Sequence, residues 1–414
     1  MKILSKRKNQ AMLATVSGFL SISMAAFNAN ASDGLIEELK HFDVKVGAWA
    51  NAGVTYNTND PTDNFNGTVT FADRSAEFQL NQLNAYIQKA VATEGKGWDF
   101  GGRADVMFGT DSVFTQAYGV PGTELGTGQP LDRGTWDLGL MGNRFYDIAV
   151  PQAYLEVYAP FGNGLNLKIG HFYTPIGYET VPAPDNFFYT HAYTMQFGEP
   201  FTHTGIMANY TVDSNWAVMG GVVTGSATGG WDGSWDQQLG NWAGLGGVTW
   251  TSTNKATSLN VSGTYGGRSE LSNDAWSLYS VVLKQNIGEK MHVVLQHDHG
   301  YADQILTLNG MQDAEWYGVN SHFYYDIKDD LVAGIRAEWF RDQNGARVCY
   351  PARTTCPGVA GTYYEVTAGV TWKPKTWLSL RPNVRYDWAE GVDPFDAGNK
   401  GEQWLFSTDM TVTF

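Results

Sequence analysis

The chain is built largely from stretches in which apolar and polar residues alternate. In the last stretch, "QWLFSTDMTVTF", one face carries Trp404, Phe406, Thr408, Met410, Val412 and Phe414, and the other carries Gln403, Leu405, Ser407, Asp409, Thr411 and Thr413. A period of two indicates a β-strand with one apolar face. The pattern predicts sixteen strands, near residues 43–56, 78–91, 98–108, 147–158, 164–172, 203–212, 215–224, 243–251, 256–265, 275–286, 290–299, 313–325, 330–341, 362–373, 376–387 and 403–414.

The links between these strands alternate strictly between short and long. The short links include "PFGNG", "VDSN", "STNK", "GEK", "KDD" and "KPK", whose residue types suit tight turns. The long links span residues 57–77, 109–146, 173–202, 225–242, 266–274, 300–312, 342–361 and 388–402. An antiparallel up-and-down sheet with short turns on one rim and long loops on the other has this order, which is typical of outer-membrane barrels.

Strand length and aromatic placement favour a membrane barrel over a soluble sandwich. The strands run to about 10–13 residues, longer than the usual 5–6 of soluble sheets and close to a tilted bilayer span. Aromatic residues cluster at strand ends, as at Trp98 and Phe108, where membrane interfaces place them. In a barrel the apolar face contacts lipid and the polar face lines the lumen.

A sheet in lipid must close on itself, because every backbone N–H and C=O needs a partner within the protein. The last strand is therefore expected to pair with strand 376–387 on one side and with the first strand, 43–56, on the other. Sixteen strands also leave a water-filled interior. The sequence predicts an all-β, closed, antiparallel transmembrane β-barrel of about 16 strands, with short periplasmic turns and long external loops.

The first 31 residues have the composition of a secretory signal peptide. Lys2, Lys6, Arg7 and Lys8 precede an apolar stretch at 11–27, and small residues follow at 29–31. The alternative, a transmembrane helix, requires about 20 apolar residues. We therefore divide the chain into a signal peptide at 1–31, a short periplasmic segment at 32–42 and a barrel at 43–414.

Composition and charge narrow the range of partners. Hydrophobic residues make up 43% of the chain, charged residues 17% and aromatic residues 14%, which does not suit a disordered protein. The net charge is −15; without the four basic residues of the signal, 27 − 4 = 23 Lys+Arg face 42 Asp+Glu, a net of −19. Nucleic acid is an unfavourable partner for such a chain, whereas divalent cations or cation-bridged surface lipids suit it.

The two cysteines, Cys349 and Cys356, are separated by six residues. In an exported chain this spacing favours one disulfide that closes a short loop. A metal site is the alternative, but no histidine lies next to either cysteine.

The chain resembles Gram-negative outer-membrane porins, and within them the OmpL-like β-barrel porin family. The matching stretches are "FQLNQLNAYIQKAV", "WDFGGRADVMFGTD", "VPQAYLEVYAP", "LNLKIGHFYTPIGYET" and the terminal strand. The resemblance implies a channel in the outer membrane of a Gram-negative bacterium, surrounded by lipid and lipopolysaccharide, through which small hydrophilic solutes or ions diffuse. It also implies that Phe414 is an assembly signal read by the barrel assembly machinery. A homotrimer and a monomer both remain open.

Alternation also predicts which charged side chains line the pore. The set comprises Lys45, Arg103, Asp105, Glu156, Lys168, Lys284, Arg336, Glu338, Glu365, Arg381, Arg385 and Asp387. Rings of charge set the ion preference of a pore, and a mixed wall predicts a weak preference. The alternative is a salt-bridge network that only rigidifies the barrel.

The third long loop, "YTPIGYETVPAPDNFFYTHAYTMQFGEPF", is the predicted constriction. It holds four prolines, a run of aromatic residues, and the carboxylates Glu179, Asp185 and Glu199. In general porins the third external loop folds into the barrel and narrows it, and this loop has the same place in the strand order. We expect the three carboxylates to face arginines of the wall. The alternative is an external loop packed against a neighbouring subunit.

The remaining motifs carry less chemistry. Loops 109–146, 225–242 and 388–402 are acidic and glycine-rich, but none has a complete calcium-ligand run, which favours solvated surface loops. In "QHDHG", His297 and His299 face away from Asp298 near the external rim, and an interface cluster is favoured over a metal site. No catalytic motif is recognised, so we expect a channel with no enzyme activity and no cofactor. The alternatives are a surface adhesin or receptor that uses the acidic loops, and a barrel-embedded hydrolase.

Overall fold

The computed structural model describes residues 39, 41–93, 97–116, 145–224, 242–267, 275–307, 310–348 and 359–414. Seventeen β-strands form one sheet: β1 Val44–Asn57, β2 Phe78–Lys89, β3 Asp99–Gly109, β4 Asp147–Ala159, β5 Leu165–Tyr173, β6 Thr202–Thr211, β7 Trp216–Thr224, β8 Trp242–Thr251, β9 Thr257–Gly267, β10 Ala275–Ile287, β11 Met291–Thr307, β12 Gly310–Lys328, β13 Leu331–Asp342, β14 Gly361–Lys375, β15 Leu378–Leu380, β16 Asn383–Glu390 and β17 Glu402–Thr413. Among the described residues, no helix combines the length and the apolar character that crossing a membrane requires.

The sheet closes into a barrel, as predicted. Apart from β15 and β16, each strand pairs antiparallel with its neighbour in sequence, and β17 pairs with β1 from Trp49↔Thr413 to Asn57↔Leu405. At the end of this seam, Phe414 N donates to Ala48 O at 2.8 Å. The other edge of β17 pairs with β15 and β16. The terminal strand therefore has a partner on each side, which confirms the prediction made from its alternation.

The barrel has sixteen strand positions, because β15 and β16 share one. Both lie between β14 and β17. The break falls at Arg381 and Pro382, since proline has no N–H to give to the ladder. The carbonyl of Pro382 still accepts from Val370 N at 3.1 Å, and Arg381 N donates to Asp409 O at 3.1 Å. The predicted strand 376–387 is thus one wall position interrupted by a proline.

One predicted long loop is wrong. Residues 300–312 belong mostly to a hairpin in which β11 and β12 continue pairing, with Ile305↔Gln312 and Thr307↔Gly310 as the outermost pairs. A register shift between Ala302 and Ile305 breaks the alternation at this point, because a bulge places an extra residue on one strand. The period-two pattern therefore ends before the strand does.

Burial in the barrel is inverted relative to a soluble protein. On β17 the exposed side chains are apolar, with Trp404 45%, Phe406 49% and Met410 46% exposed. Its interior side chains are polar, with Gln403 1% and Asp409 3% exposed. Since an apolar exterior is stable only against lipid, the barrel carries the lipid and lumen faces that the alternation predicts.

Aromatic rings collect on the outer surface at both rims. At the long-loop end, rings from β14, β16 and β17 stack in a row, with centroid distances of 5.0 Å for Tyr364–Trp388, 5.3 Å for Trp388–Tyr386 and 4.5 Å for Tyr386–Trp404. At the short-turn end, Trp98 and Phe161 meet edge to face at 5.5 Å. Amphipathic rings suit the two membrane interfaces.

Candidate functional site

The loop between β5 and β6, residues 174–201, lies inside the barrel and is called the inner loop below. It includes a 3₁₀ turn, Ala183–Asp185, and a π-helical turn, Thr194–Gly198. Gln82 of β2 brackets the 3₁₀ turn: its Oε1 accepts from Ala183 N at 3.0 Å and its Nε2 donates to Val181 O at 2.8 Å. On another side, Thr371 Oγ1 of β14 donates to Phe187 O at 2.8 Å. The inner loop therefore crosses the lumen between distant strands.

Arg336 of β13 is the central anchor of the inner loop. Its Nη1 donates to Glu179 Oε1 at 2.6 Å and to Thr190 O at 2.7 Å, and its Nε donates to Glu365 Oε1 at 2.6 Å. Arg336 has no exposed surface. Burial alone would raise the pKa of Glu179, but Arg336 and His191 more than offset this and hold it well below its usual value. The geometry fits the expectation that Glu179 faces a wall arginine.

Two arginines of the β15–β16 position, which lies beyond β14, hold other parts of the same loop. Arg385 Nη1 donates to His191 O at 2.5 Å, and its Nε donates to Asp387 Oδ1 at 2.8 Å. Arg381 Nη1 donates to Ala183 O and to Asn186 O, both at 2.8 Å. These guanidinium groups are thus divided between carboxylates of the wall and carbonyls of the loop.

Glu338 binds the start of the π-helical turn. Its carboxylate accepts from the backbone N–H of Tyr193 and from both the backbone N–H and the hydroxyl of Thr194, with 2.6 Å to Thr194 N. At the end of the turn, Trp316 Nε1 donates to Gly198 O at 3.1 Å. Because the first N–H groups of a helical turn have no internal partner, this wall carboxylate takes the place of a cap.

Glu199 does not face an arginine, in contrast to our expectation. It accepts a hydrogen bond from Gln296 of β11, lies beside Asp298, and is 1% exposed. Burial and the neighbouring Asp298 raise the pKa of Glu199 well above its usual value. Glu199 lies shortly before β6 and contacts β11, whereas Arg336 lies on β13, Arg385 on β16 and Arg381 in the link between β15 and β16. Gly177 lies against this carboxylate with φ +88°, and a side chain there would collide with it.

Asp185 is the predicted loop carboxylate that keeps its contact with water. It ends the 3₁₀ turn and is exposed. Partial withdrawal from solvent raises the pKa of Asp185, while Arg103 and Lys373 act in the opposite direction. Its negative charge therefore interacts with both Arg103 and Lys373 and is not paired with a single buried residue.

Eleven of the twelve predicted pore-lining residues lie at inward-facing strand positions, and Arg381 lies in the link between β15 and β16; their surroundings differ. Buried at the inner loop are Arg336, Glu338, Glu365, Arg381, Arg385 and Asp387; Asp105 and Glu156 are buried on β3 and β4; Lys45, Arg103, Lys168 and Lys284 retain exposure. We call the inward faces of β11–β17, β1 and β2 the covered wall. The open wall is the part of β3–β10 near the short turns, where Arg103, Lys168 and Lys284 lie; farther along these strands, Met207, Val223 and Leu245 are buried in one cluster with Ile176, Tyr193 and Phe197 of the inner loop.

The three basic side chains of the open wall each lie over a tyrosine ring. The distances to the ring centroid are 4.2 Å for Arg103 Cζ over Tyr86, 4.8 Å for Lys168 Nζ over Tyr154 and 4.9 Å for Lys284 Nζ over Tyr178. Tyr178 belongs to the inner loop, Tyr86 to β2 and Tyr154 to β4. The sequence reasoning named the cations but missed the rings, which alternation alone does not single out.

A second loop that the sequence reasoning missed covers the inner loop. In the link between β1 and β2, residues 66–73 are buried. The hydroxyls of Thr68 and Tyr193 are hydrogen-bonded at 2.9 Å, and Gln196 Oε1 accepts from Thr70 N at 2.6 Å. The lack of charged residues in "NGTVTF" was the sequence signal for burial, since external loops are usually polar.

Several predicted features lie outside the described residues. These are the signal peptide at 1–31, Cys349 and Cys356, and most of loops 109–146 and 225–242. Within the described ranges, no cluster of three or more His, Cys, Asp or Glu is arranged to hold a metal. His299 Nε2 instead lies 2.8 Å from Glu315 Oε1, and His297 Nδ1 lies 3.0 Å from Gly318 O. The role of Phe414 as an assembly signal stays a prediction.

Comparison with known proteins agrees with this architecture. Residues 43–414 match the family described as "Putative beta-barrel porin-2, OmpL-like". The fold is similar to the outer membrane channel DcaP of Acinetobacter baumannii (TM-score 0.55, 11% identity, 90% of this chain and 97% of that one). It is also similar to an anion-selective porin from Comamonas acidovorans (0.55, 9%, 90% and 99%) and to a loop L8 deletion mutant of OmpT from Vibrio cholerae (0.54, 10%, 90% and 99%). No curated protein matches the chain.

Proposed function

This chain belongs to the family of putative beta-barrel porin-2, OmpL-like proteins, and we propose that it forms a water-filled channel for passive diffusion of small hydrophilic solutes or ions. Its location is the outer membrane of a Gram-negative bacterium. The mechanism is sieving by size and charge, which needs no energy input.

The observation that carries the proposal is the unequal filling of the lumen. Hydrogen bonds from the inner loop reach Gln82 of β2 and extend to Gln296 of β11, and they include the buried Arg336 between them. On the opposite side, Lys284 is exposed and Lys168 is half-buried. Both lysines lie near the short-turn ends of β5 and β10, so their exposure supports a water-filled space that reaches the inner loop from that rim.

The inner loop sets the width of this path in our proposal. Its two ends are held together, since Thr174 N donates to Phe201 O at 3.0 Å. A deletion inside the loop can therefore be bridged without moving β5 or β6. The anchors Arg336, Arg381 and Glu338 hold the loop against the covered wall, so the path is expected to have a stable diameter.

Conductance of the refolded protein in planar bilayers tests the channel directly. We expect ohmic channels, together with liposome swelling rates that fall as the size of a neutral sugar increases. Insertion is verified independently by the heat-dependent gel mobility of folded barrels. Inserted protein that conducts nothing would reject the proposal.

Deletion of residues 180–196 tests the inner loop. The deletion removes the 3₁₀ turn and the carbonyls that bind Arg336, Arg381 and Arg385. We expect a larger single-channel conductance and faster uptake of larger sugars, at unchanged heat-dependent mobility. A folded deletion variant with wild-type conductance would show that the loop does not form the constriction.

A further inference from the structure

We propose that the channel prefers small anions over cations, and that Lys168 and Lys284 are the residues that determine this preference. The inference rests on the proposed channel function. It concerns only the charges that meet the water path, which are few among the described residues although the chain is strongly acidic.

The arginines of the covered wall do not meet that path. Arg336, Arg381 and Arg385 are at most 3% exposed. Each forms an ion pair with a buried carboxylate and also donates to carbonyls of the inner loop: Arg336 pairs with Glu365, Arg381 with Asp409 and Arg385 with Asp387. A charge with these partners and no water contact holds the loop in place, and it is not available to a passing ion.

Lys168 and Lys284 have the opposite surroundings. Among the described residues neither forms an ion pair within 4.0 Å, and each ammonium lies over a tyrosine ring, at 4.8 and 4.9 Å. The face of an aromatic ring attracts a cation but carries no net charge. Each lysine is therefore held by a ring that adds no opposing charge, and its ammonium stays directed to the lumen.

The nearest acidic groups offset only part of this charge. Glu156 is the cross-strand neighbour of Lys168 and acts on it electrostatically without forming an ion pair within 4.0 Å. The residue is 8% exposed, and its carboxylate accepts from Asn166 Nδ2 at 2.9 Å. Arg103 and Asp105 form a close pair, with 2.6 Å from Nε to Oδ1. The water-facing carboxylate of the inner loop is Asp185.

Among the described residues on the water path, positive charge therefore exceeds negative charge. Lys168, Lys284 and Lys45 stand against the carboxylates of Asp185 and Glu156. Rings of charged side chains in a pore decide which ions enter, and their effect is strongest where the passage is narrow and water is scarce. This balance predicts a definite preference for anions, whereas the mixed composition of the wall predicts only a weak ion preference.

Reversal potentials across a bilayer with a KCl gradient test the proposal, with chloride as the probe anion. We expect the wild-type protein to show the sign of an anion-preferring channel. The double variant Lys168→Gln, Lys284→Gln should move the reversal potential to zero or beyond it. Lys255→Gln is the control, because the same substitution there removes one positive charge from an exposed turn between β8 and β9 and should leave the potential unchanged.

Asp185→Asn provides a second test of opposite sign, should the double variant fail to fold. Removing the exposed loop carboxylate should increase the anion preference. A wild-type channel that prefers cations, or a reversal potential that neither the double variant nor Asp185→Asn moves, would overturn the inference while leaving the channel function intact. Absence of any conductance would instead reject the proposed function on which the inference rests.

Discussion

The covered wall and the open wall hold their inward-facing charged side chains in different surroundings. On the covered wall, arginines are fully enclosed and divide their donors between carboxylates and loop carbonyls. On the open wall, lysines lie over tyrosine rings and stay in contact with water. Arginine offers five donors in a fixed plane, whereas lysine is a compact, hydrated charge on a flexible stem. Arginine therefore suits the covered wall, where it fixes a loop, and lysine suits the open wall, where it attracts a solute.

Arg336→Ala should have the largest effect on the covered wall. The substitution leaves the carboxylates of Glu179 and Glu365 buried without their partner, which costs about 3–5 kcal/mol for a buried pair. We expect a lower midpoint of urea-induced unfolding in lipid vesicles and a noisier open-channel current. An unchanged midpoint with a quiet current would show that the inner loop does not depend on this anchor.

Glu338→Ala should have the next largest effect. It removes the acceptor of two backbone N–H groups at the start of the π-helical turn. Each buried donor left without a partner costs about 1–3 kcal/mol. Hydrogen exchange should rise at residues 193–198 more than elsewhere, and Glu338→Gln should partly restore protection, because its amide oxygen can still accept.

The pH dependence of loop seating is the third test. The pKa of Glu199 is raised by burial and by Asp298, while Gln296 acts in the opposite direction and the Glu179 carboxylate adds to the rise. A carboxyl group with a raised pKa favours the folded state below its ordinary pKa, and this contribution is lost as pH rises through the raised value. Current fluctuations should therefore increase with rising pH, and Glu199→Gln should abolish this dependence. Identical pH profiles for the two proteins would exclude Glu199 as the titrating group.

Lys284→Ala on the open wall should have the smallest effect on stability. Its side chain is exposed, and substitutions of this kind usually change the free energy of unfolding by about 0.5 kcal/mol or less. The unfolding midpoint should match the wild type, in contrast to Arg336→Ala. A loss of stability as large as that of Arg336→Ala would show that the two walls contribute equally to folding.

The strands were largely predictable because lipid imposes a strict rule on them. Every strand must alternate and every edge must be paired, so the seam between β1 and β17 follows from the pattern of the last twelve residues. The hairpin from Met291 to Lys328 was predicted too short, since its bulge shifts the register and the period-two signal fades before the pairing ends.

The interior was only partly predictable. Alternation predicts that the side chains of Arg336 and Lys284 both face the lumen, but it does not show which of them a loop covers. Glu179 and Glu199 share a loop, yet one meets an arginine and the other meets Gln296. These differences depend on how the inner loop and residues 66–73 fold together, which involves contacts between residues far apart in sequence.

The seam between β1 and β17 also bears on the order of assembly. Asn51 Nδ2 donates to Asp409 Oδ2 at 2.5 Å across the seam, and the two residues are 358 positions apart. The same carboxylate receives the guanidinium of Arg381, which donates to Ala183 O of the inner loop. Pairings this distant in sequence form slowly, because the chain entropy lost in closing the loop precedes the gain. Asp409 has all of these partners only once the barrel has closed, so we expect the inner loop to take its final position at Arg381 after the last strand has paired with β1.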